Sequence, residues 1–329
     1  MTTTTPRGRA ARAPRPRTTA PRTTAPRAAV LLATAVLALT ACGSGGAAGA
    51  AGPAAADAQV PTTDVVSGVT KDPAAAKLLP ADVRARGTLA LASSVGTPPG
   101  ATYLPDGTTV AGQDIDFADA VGKVLGLKLT REVASFEAIL PALDSGKYDL
   151  GTGNFGVTEE RRKTIDFVTY VNDGQGFAVR ADSPLKKVTA LPQLCGLTVA
   201  TGAGTTFEAT LEDNRHRCRD AGKPPYDVKT YADQGALWIS LQQGRSDVVM
   251  STINGLRYAV RQQQGLRFLN EFKRLDVGFA FKKGSPLAPA VQTAVNRLKA
   301  DGTYDRILKK WGTGASAVTT SRISPPEIR

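Results

Sequence analysis

The segment that decides the fold of this chain is residues 136–149, FEAILPALDSGKYD. Apolar side chains recur at the spacing of one helix face from Phe136 to Leu143, and Gly146 is typical of a helix end. Asp149 then opens a strand. Five positions of this pattern return at a constant displacement of 98 residues: Ala138, Ile139, Leu143, Gly146 and Asp149 recur as Ala236, Leu237, Leu241, Gly244 and Asp247. A helix followed by a strand therefore occurs twice, which predicts two similar α/β lobes.

The rest of the chain alternates in the same way between strands and helices. Residues 89–92 predict a strand, and the apolar positions from Phe117 to Leu125 predict an amphipathic helix that ends at Gly126. Another strand is predicted over residues 197–200. Alternation of this type indicates an α/β fold with largely parallel strands.

The composition excludes a disordered or fibrous protein, since 42% of the 329 residues are hydrophobic and this length suits two domains. The formal net charge of +12 at first suggests a nucleic-acid partner. However, residues 1–41 contain seven arginines and no acidic residue, so the rest of the chain carries only +5. The charge needs no nucleic acid to explain it, and we predict no nucleic-acid partner.

The N-terminus has the features of an export signal. A basic stretch leads into the mainly apolar residues 28–39, which are too few to span a bilayer but fit the apolar region of a secretory signal. The next residues, LTAC at 39–42, resemble a bacterial lipobox, in which cleavage frees the cysteine for a diacylglycerol anchor. We predict a lipoprotein signal peptide over 1–41 and an exported chain, anchored to the outer face of the cell membrane by a lipid on Cys42. The alternative is an ordinary signal peptide with an incidental cysteine.

Two segments have compositions that predict no fixed structure. Residues 42–75 begin with a run of glycine and alanine and predict a flexible tether. Residues 314–329 are rich in small polar residues and proline and predict a disordered tail.

The two remaining cysteines, Cys195 and Cys218, predict a disulfide, because exported proteins keep such bonds oxidised. The alternative is two buried free thiols. A metal site is not expected, since no second pair of ligands accompanies these cysteines.

Several ordered segments resemble those of a known protein family over about residues 85–311. They are residues 114–121, 136–149, 157–167, 195–206 and 299–311. Together they resemble the polar-amino-acid class of extracellular solute-binding proteins, which serve ABC importers. The resemblance implies two α/β lobes joined by a two-strand hinge, the periplasmic-binding-protein-like fold. Lobe I is then formed by residues 76–183 and 273–313, and lobe II by residues 184–272.

The resemblance also implies a function. A small carboxylate-bearing solute, an amino acid or an amino-acid-like compound, would bind in the cleft between the lobes, which close on it by a hinge motion. The chain would deliver this solute to a membrane permease and its ATPase. No cofactor is implied, and we expect a monomer.

The family's pattern assigns the ligand's carboxylate to Arg161. A guanidinium presents a planar fork of donors that matches a carboxylate. We expect a helix to begin at Arg161, just after Thr158, so that backbone donors of Gly156 and of the helix start add to the anion site. The alternative is that Arg161 pairs with Glu159 or Glu160 on a solvated face. The full set of predicted ligand-binding residues is Arg161, Thr206, Gly156, Asn154, Phe136, Thr252, Thr205 and Asp173.

Three positions bear on how the ligand's two charged groups would be held. Thr206 matches the family's carboxylate-contacting hydroxyl at a helix N-terminus, the alternative being an N-cap without a ligand. The family commonly has a carboxylate at the position of Thr252, to pair with an α-ammonium, and a serine or threonine at the position of Gly156. Because an uncompensated buried charge is costly, whether the ligand has an α-amino group stays open. The residues that would compensate are Asn154, Asp173 and Asn254.

Three rival interpretations follow from the same sequence. Residues 151–156 fit a dinucleotide-binding fingerprint, but the next strand arrives too soon for a complete βαβ unit. An enzyme on the same fold, resembling a dehydratase or a glycan lyase, would need a general acid or base in the cleft, for which Glu137 and Asp173 are available. The single histidine, His216, lies between two arginines and predicts a solvated surface. A ligand sensor is the third possibility, which the sequence does not separate from transport.

Overall fold

The computed structural model describes residues 60–328 of the chain. The predicted signal peptide, the lipid anchor at Cys42 and the first part of the predicted tether lie outside these residues. Within residues 60–328, none of the helices combines the length and apolarity that a membrane crossing requires.

Ten strands form most of the framework within residues 60–328. They are β1 (Thr88–Ser93), β2 (Thr102–Tyr103), β3 (Val110–Ala111), β4 (Lys128–Val133), β5 (Leu150–Gly156), β6 (Ile165–Arg180), β7 (Thr198–Gly202), β8 (Asp227–Tyr231), β9 (Val248–Thr252) and β10 (Leu266–Lys282).

In the described part of the chain, ten α-helices accompany these strands. They are α1 (Pro73–Lys77), α2 (Ala81–Arg86), α3 (Gln113–Leu125), α4 (Phe136–Asp144), α5 (Thr206–Asn214), α6 (Arg217–Asp220), α7 (Gln234–Gln242), α8 (Ile253–Gln262), α9 (Ala288–Ala300) and α10 (Thr303–Trp311). Short 3₁₀ turns occur at Arg161–Lys163, Leu191–Leu194 and Gly314–Ser316.

Eight of the strands pair in the order β4-β1-β5-β10-β6-β9-β7-β8. The parallel group β4, β1 and β5 belongs to lobe I, and the parallel group β9, β7 and β8 belongs to lobe II. The long antiparallel strands β6 and β10 run through both groups. The predicted α/β fold of two lobes joined by a two-strand hinge is therefore confirmed.

The change of lobe comes earlier in β6 than the sequence predicted. Strand β5 pairs with β10 at Val277–Ala280, whereas β9 pairs with β6 at Gln175–Val179. The hinge thus lies near residues 172–174 and 274–276. Residues 175–183, predicted as part of lobe I, belong to lobe II, because the boundary falls inside a continuous strand and not in a loop.

The repeated sequence pattern corresponds to a repeated structure. Helices α4 and α7 start and end 98 residues apart, as do the starts of β5 and β9. In each lobe an aspartate just before β5 or β9 accepts a backbone hydrogen bond from the adjacent parallel strand, β1 or β7. The Asp149 carboxylate accepts the N–H of Ala90 at 2.8 Å, and the Asp247 carboxylate accepts the N–H of Thr198 at 2.8 Å. The prediction of two similar lobes is confirmed.

Each lobe has its own apolar core. In lobe I, Phe117 packs against Tyr170 and Tyr304, with ring centroids 5.4 and 5.2 Å apart. In lobe II, Phe177 and Phe207 pack in a cluster that includes Cys218. The predicted disulfide between Cys195 and Cys218 is present. It ties the start of lobe II to α6.

The second half of the predicted tether is packed and ordered, so that prediction is wrong for residues 60–75. Val66 and Ala75 are buried in the lobe I core. Asp72 caps α1 through its side chain, and its N–H donates to the Val124 carbonyl at 2.8 Å. Apolar residues spaced along a polar segment therefore anchor it to α3.

The prediction of a disordered tail over residues 314–329 is also wrong, since the described part packs along lobe I. Ile323 forms a β-bridge with Val168, and the Thr169 N–H donates to the Arg322 carbonyl at 3.0 Å. Buried Ser321 donates its hydroxyl to the Thr169 carbonyl at 2.6 Å. The physical reason is the sheet order: in lobe I, β6 is an edge strand, whose open backbone groups the tail covers.

We predict that Ser321→Ala lowers the free energy of unfolding by about 1–3 kcal/mol, because it leaves the buried Thr169 carbonyl without this donor. The matched control is Thr320→Ala, at the exposed neighbouring position, which should change stability by less than about 0.5 kcal/mol. Guanidinium unfolding of both variants measures the difference. Equal, negligible effects would show that the tail does not pack in solution.

Candidate functional site

A cleft between the lobes contains most of the predicted site residues. Its empty volume, including the open mouth, is about 1080 Å³. Lobe I contributes the loop after β1, the start of α3 and of α4, and the end of β5; lobe II contributes the starts of α5, α7 and α8. The predicted residues in its wall are Phe136, Asn154, Arg161, Asp173, Thr205, Thr206, Thr252 and Asn254.

Arg161 spans the cleft from lobe I to lobe II. Its guanidinium donates to the Gly156 carbonyl at 3.2 Å and to the Gly204 carbonyl of lobe II at 3.3 Å. It also lies over the Phe136 ring, 5.6 Å from the centroid. Burial lowers the pKa of Arg161 to about 10, so the group is still charged at neutral pH. Arg161 is thus a cation held by neutral partners.

The acidic residues beside Arg161 have other partners. Glu159 pairs with Arg162 at 2.6 Å, and Glu160 pairs with Lys163. Across residues 60–328, no carboxylate lies within ion-pair distance of the Arg161 guanidinium. The alternative in which Arg161 pairs with Glu159 or Glu160 is therefore excluded.

The expected helix at Arg161 is only a 3₁₀ turn of three residues. The Arg161 N–H donates to the Thr158 hydroxyl at 3.2 Å, and the Arg162 N–H donates to the Thr158 carbonyl at 3.0 Å. Because Thr158 already accepts from these donors, the turn does not add backbone N–H groups to an anion site as predicted.

Gly156 is the one predicted ligand-binding residue that is absent from the cleft wall. It pairs with Val277 at the end of β5, and a Cβ atom there would lie 3.1 Å from Leu275 Cδ1. Close packing against Leu275 at the hinge therefore explains why a glycine stands at position 156. Its contribution to the site is the carbonyl that accepts from Arg161.

Lobe II presents the N-terminus of α5 to the cleft. Thr205 is the N-cap, since its hydroxyl accepts the Glu208 N–H at 3.2 Å and donates to the Gly202 carbonyl at 2.7 Å. Thr206 is the first helical residue and lines the cleft. The capping role considered for Thr206 therefore belongs to Thr205, and the Thr206 side chain is left to face the cleft.

Thr252 is held as the N-cap of α8. Its hydroxyl accepts the Gly255 N–H at 3.0 Å. Asn254, in the first turn of α8, exchanges side-chain hydrogen bonds with Ser316 of the tail. Both residues line the cleft, but the Thr252 hydroxyl is engaged within lobe II and the Asn254 side chain is engaged with the tail.

The floor of the cleft is acidic. Asp173, at the hinge, accepts the Asn154 side-chain amide at 3.0 Å and the Asn254 N–H at 3.1 Å. Asp114, in the first turn of α3, accepts the Asn154 N–H at 3.1 Å. Burial raises the pKa of each carboxyl group to about 6.

Asp114 was not predicted as a site residue, although it opens the segment 114–121 that carries the resemblance. An acidic residue before an amphipathic helix is typical of a helix N-terminus, and that signal gave no reason to place it in the cleft. Asn154 connects it to Asp173. Asn154 has φ of 57°, a left-handed conformation that asparagine tolerates better than most residues.

The lobes touch each other at two places beside the cleft. A Cβ atom on Gly204 would lie 2.8 Å from Glu137 Cβ, across the cleft. A Cβ atom on Gly255 would lie 3.6 Å from the Thr97 methyl group of lobe I. The structure is therefore a closed arrangement, in which glycine allows the close approach at residue 204.

The site offers one positive group opposite an acidic floor. Residues 151–156, which fit the dinucleotide fingerprint, lie inside β5 and so form no phosphate-binding loop. The part of the chain that the structure describes contains no group of three or more histidine, cysteine or acidic side chains able to hold a metal. The chemistry is that of a binding site for a small charged molecule.

Comparison with known proteins gives consistent matches. Residues 89–314 match the family described as bacterial extracellular solute-binding proteins, family 3. The arginine-binding protein ArgT of Corynebacterium glutamicum is 29% identical over 242 residues, which are 71% of this chain and 77% of that protein.

Two solved structures are also similar. One is an ancestral amino-acid-binding protein, AncCDT-1, a precursor of cyclohexadienyl dehydratase, with 27% identity and a TM-score of 0.62 over 70% of this chain and 97% of that one. The other is the substrate-binding protein of an amino acid ABC transporter, with 27% identity and a TM-score of 0.60 over 68% of this chain and 98% of that one.

We predict that Gly204→Ala holds the lobes apart, because the added methyl group would overlap Glu137. The matched control is Gly222→Ala, whose φ of 65° is close to the 69° of Gly204 but whose Cβ would meet no atom within 4 Å. Both variants should lose about 1–2 kcal/mol of stability from the left-handed backbone. Only Gly204→Ala should show a larger radius of gyration in small-angle X-ray scattering. Equal radii would contradict this role of the glycine.

Proposed function

The chain belongs to family 3 of the bacterial extracellular solute-binding proteins, and on this basis we propose that its cleft captures a small carboxylate-bearing solute of the amino-acid class for an ABC importer. The closed lobes would shield the solute from water until the hinge opens. The matching relatives include the arginine-binding protein and the substrate-binding protein of an amino acid ABC transporter.

The observation that carries this proposal is the state of Arg161. Taking a guanidinium out of water without a counter-charge is costly, and backbone carbonyls supply only partial negative charge. A ligand carboxylate would supply the missing full charge in a geometry that a guanidinium matches with two parallel hydrogen bonds. Thr206 and the N-terminus of α5 face the cleft from the opposite lobe, so the same carboxylate would contact both lobes and favour closure.

We propose binding without chemical conversion. The hydrogen bonds that both oxygens of Asp173 accept hold this carboxylate in place, which suits a binding group better than one that transfers protons. His216 is exposed, near Asp220, and is not in the cleft wall. Since one similar structure is a precursor of a dehydratase, the distinction needs a direct test. Mass spectrometry of the solute recovered after incubation should return the solute that was added; a dehydrated or cleaved product would make the protein an enzyme.

We also propose that the chain works as an exported monomer, anchored to the outer face of the membrane by a lipid on Cys42. This proposal rests on the LTAC motif at residues 39–42. The permease and ATPase of an importer are the expected partners, and a sensor would share the same capture step. Mass analysis of Cys42 in protein from membranes would show a diacylglycerol adduct, which a simple secreted protein would lack.

We predict that Arg161→Lys weakens carboxylate binding by about 10- to 100-fold, because an ammonium lacks the fork that makes two parallel hydrogen bonds. Arg161→Ala should weaken it further. The matched control is Arg162→Lys, at the neighbouring arginine that pairs with Glu159, which should bind within about twofold of the unmodified protein. Calorimetry with the twenty L-amino acids measures the affinities. Unchanged binding in Arg161→Ala would remove the basis of the proposed function.

A further inference from the structure

We propose that the acidic floor of the cleft, formed by Asp114 and Asp173 on either side of Asn154, binds the α-ammonium group of the ligand. The inference rests on the proposed function, since it concerns the same cleft and the same ligand. It makes the ligand an α-amino acid and assigns its positive group to residues other than the one at position 252.

The first observation is an unsatisfied polar atom in the cleft wall. Asp114 lines the cleft, is 2% exposed, and has one carboxylate oxygen, Oδ1, without a hydrogen-bond partner among residues 60–328. Its other oxygen accepts from the Asn154 N–H. Buried carboxylate oxygens are normally hydrogen-bonded, so this one is a place where a donor from outside the chain would bind.

The second observation is a charge imbalance. Asp114 and Asp173 are both buried, and neither forms an ion pair with any residue in the described part of the chain. Arg274 lies near enough to lower the pKa of Asp173, but its guanidinium is hydrogen-bonded to Glu271. The groups that donate to the two carboxylates are neutral: they are amide groups of Asn154 and Asn254, and the side chains of Tyr170 and Gln113 also lower the pKa of Asp114.

Helix ends offset only part of this negative charge. Asp114 lies at the N-terminus of α3, and Asp173 contacts the first turn of α8. Each helix N-terminus is equivalent to roughly half a positive charge. Two carboxylates and two helix ends therefore leave about one negative charge, which is the complement of one ammonium group.

Strand β5 connects the acidic floor to Arg161. Asn154, which contacts both carboxylates, lies two residues before Gly156, whose carbonyl accepts from Arg161. The same strand therefore brings groups for both charges of an α-amino acid into one cleft.

A purely structural role for Asp114 is the competing explanation. The Tyr170 hydroxyl is near enough to lower the pKa of Asp114, and it too lacks a hydrogen-bond partner of acceptable geometry within residues 60–328. If a contact with Tyr170 were the whole purpose of Asp114, its removal would affect all ligands alike. The two explanations therefore differ in which ligands lose affinity.

The experiment compares two ligand series on four proteins. The amino acid that binds most tightly among the twenty L-amino acids is measured beside the acid of the same side chain that lacks the α-amino group. The proteins are the unmodified chain, Asp114→Asn, Asp173→Asn and the control Asp119→Asn, whose carboxylate lies on the outer side of α3 and pairs with Arg131. Calorimetry gives affinities, and thermal unfolding confirms that each variant is folded.

We expect each cleft variant to bind the amino acid about 100-fold more weakly, because one partner of a buried charge pair is lost. The same variants should bind the acid without the amino group as well as, or better than, the unmodified protein, and Asp119→Asn should match the unmodified protein for both. Equal losses for the two ligand series, or no loss for the amino acid, would overturn the inference and leave the proposed function standing. If neither series binds in an Arg161-dependent way, the proposed function itself fails.

Discussion

The antiparallel pairing of β6 with β10 is the constraint on which the rest of the structure depends. Its register runs from Leu266 opposite Arg180 to Lys282 opposite Ile165, through both lobes. Since every other strand of the main sheet joins this pair from one lobe or the other, rotation between the lobes is confined to the few residues where neither group of outer strands holds it. The cleft opens at this point, and Asp173 lies within it. The fold thus places a buried charged group at the hinge itself.

The electrostatics of the cleft follow from this closure. Arg161 of lobe I is desolvated by Phe136 and by Gly204 of lobe II, while the acidic floor is desolvated by α3 and α8. Arg161 is half-buried and the two aspartates are buried, all among neutral partners, so these opposite charges are weakly screened by water. Such a cleft favours a molecule that carries both charges. A ligand with one charge would satisfy one side and leave the other uncompensated.

The architecture could be predicted from the sequence because the pattern repeated at residues 136–149 and 234–247 depends on local structure alone. Helix spacing, a glycine in the left-handed conformation and the aspartate just before the strand are all short-range features. Arg161 was found through the resemblance. Asp114 was missed because its role depends on where β5 places Asn154, which lies 40 residues further along the chain. The ordered tail was missed for a related reason: small polar residues look disordered in isolation, and only the open edge of β6 gives them partners.

A continuous set of hydrogen bonds joins the cleft floor to the tail. Asn154 donates to Asp173 at 3.0 Å, Asp173 accepts from the Asn254 N–H at 3.1 Å, and the Asn254 side chain donates to the Ser316 hydroxyl at 2.9 Å. The path starts in lobe I, crosses to lobe II and returns to the tail, which packs on lobe I. Asn154 and Asn254 are each held at two points, so these hydrogen bonds fix the acidic floor in the closed arrangement. For a floor that binds the ligand as proposed, less conformational freedom is lost on binding, and more of the interaction energy is available for affinity. On that proposal the tail would bear on ligand recognition although it does not line the cleft.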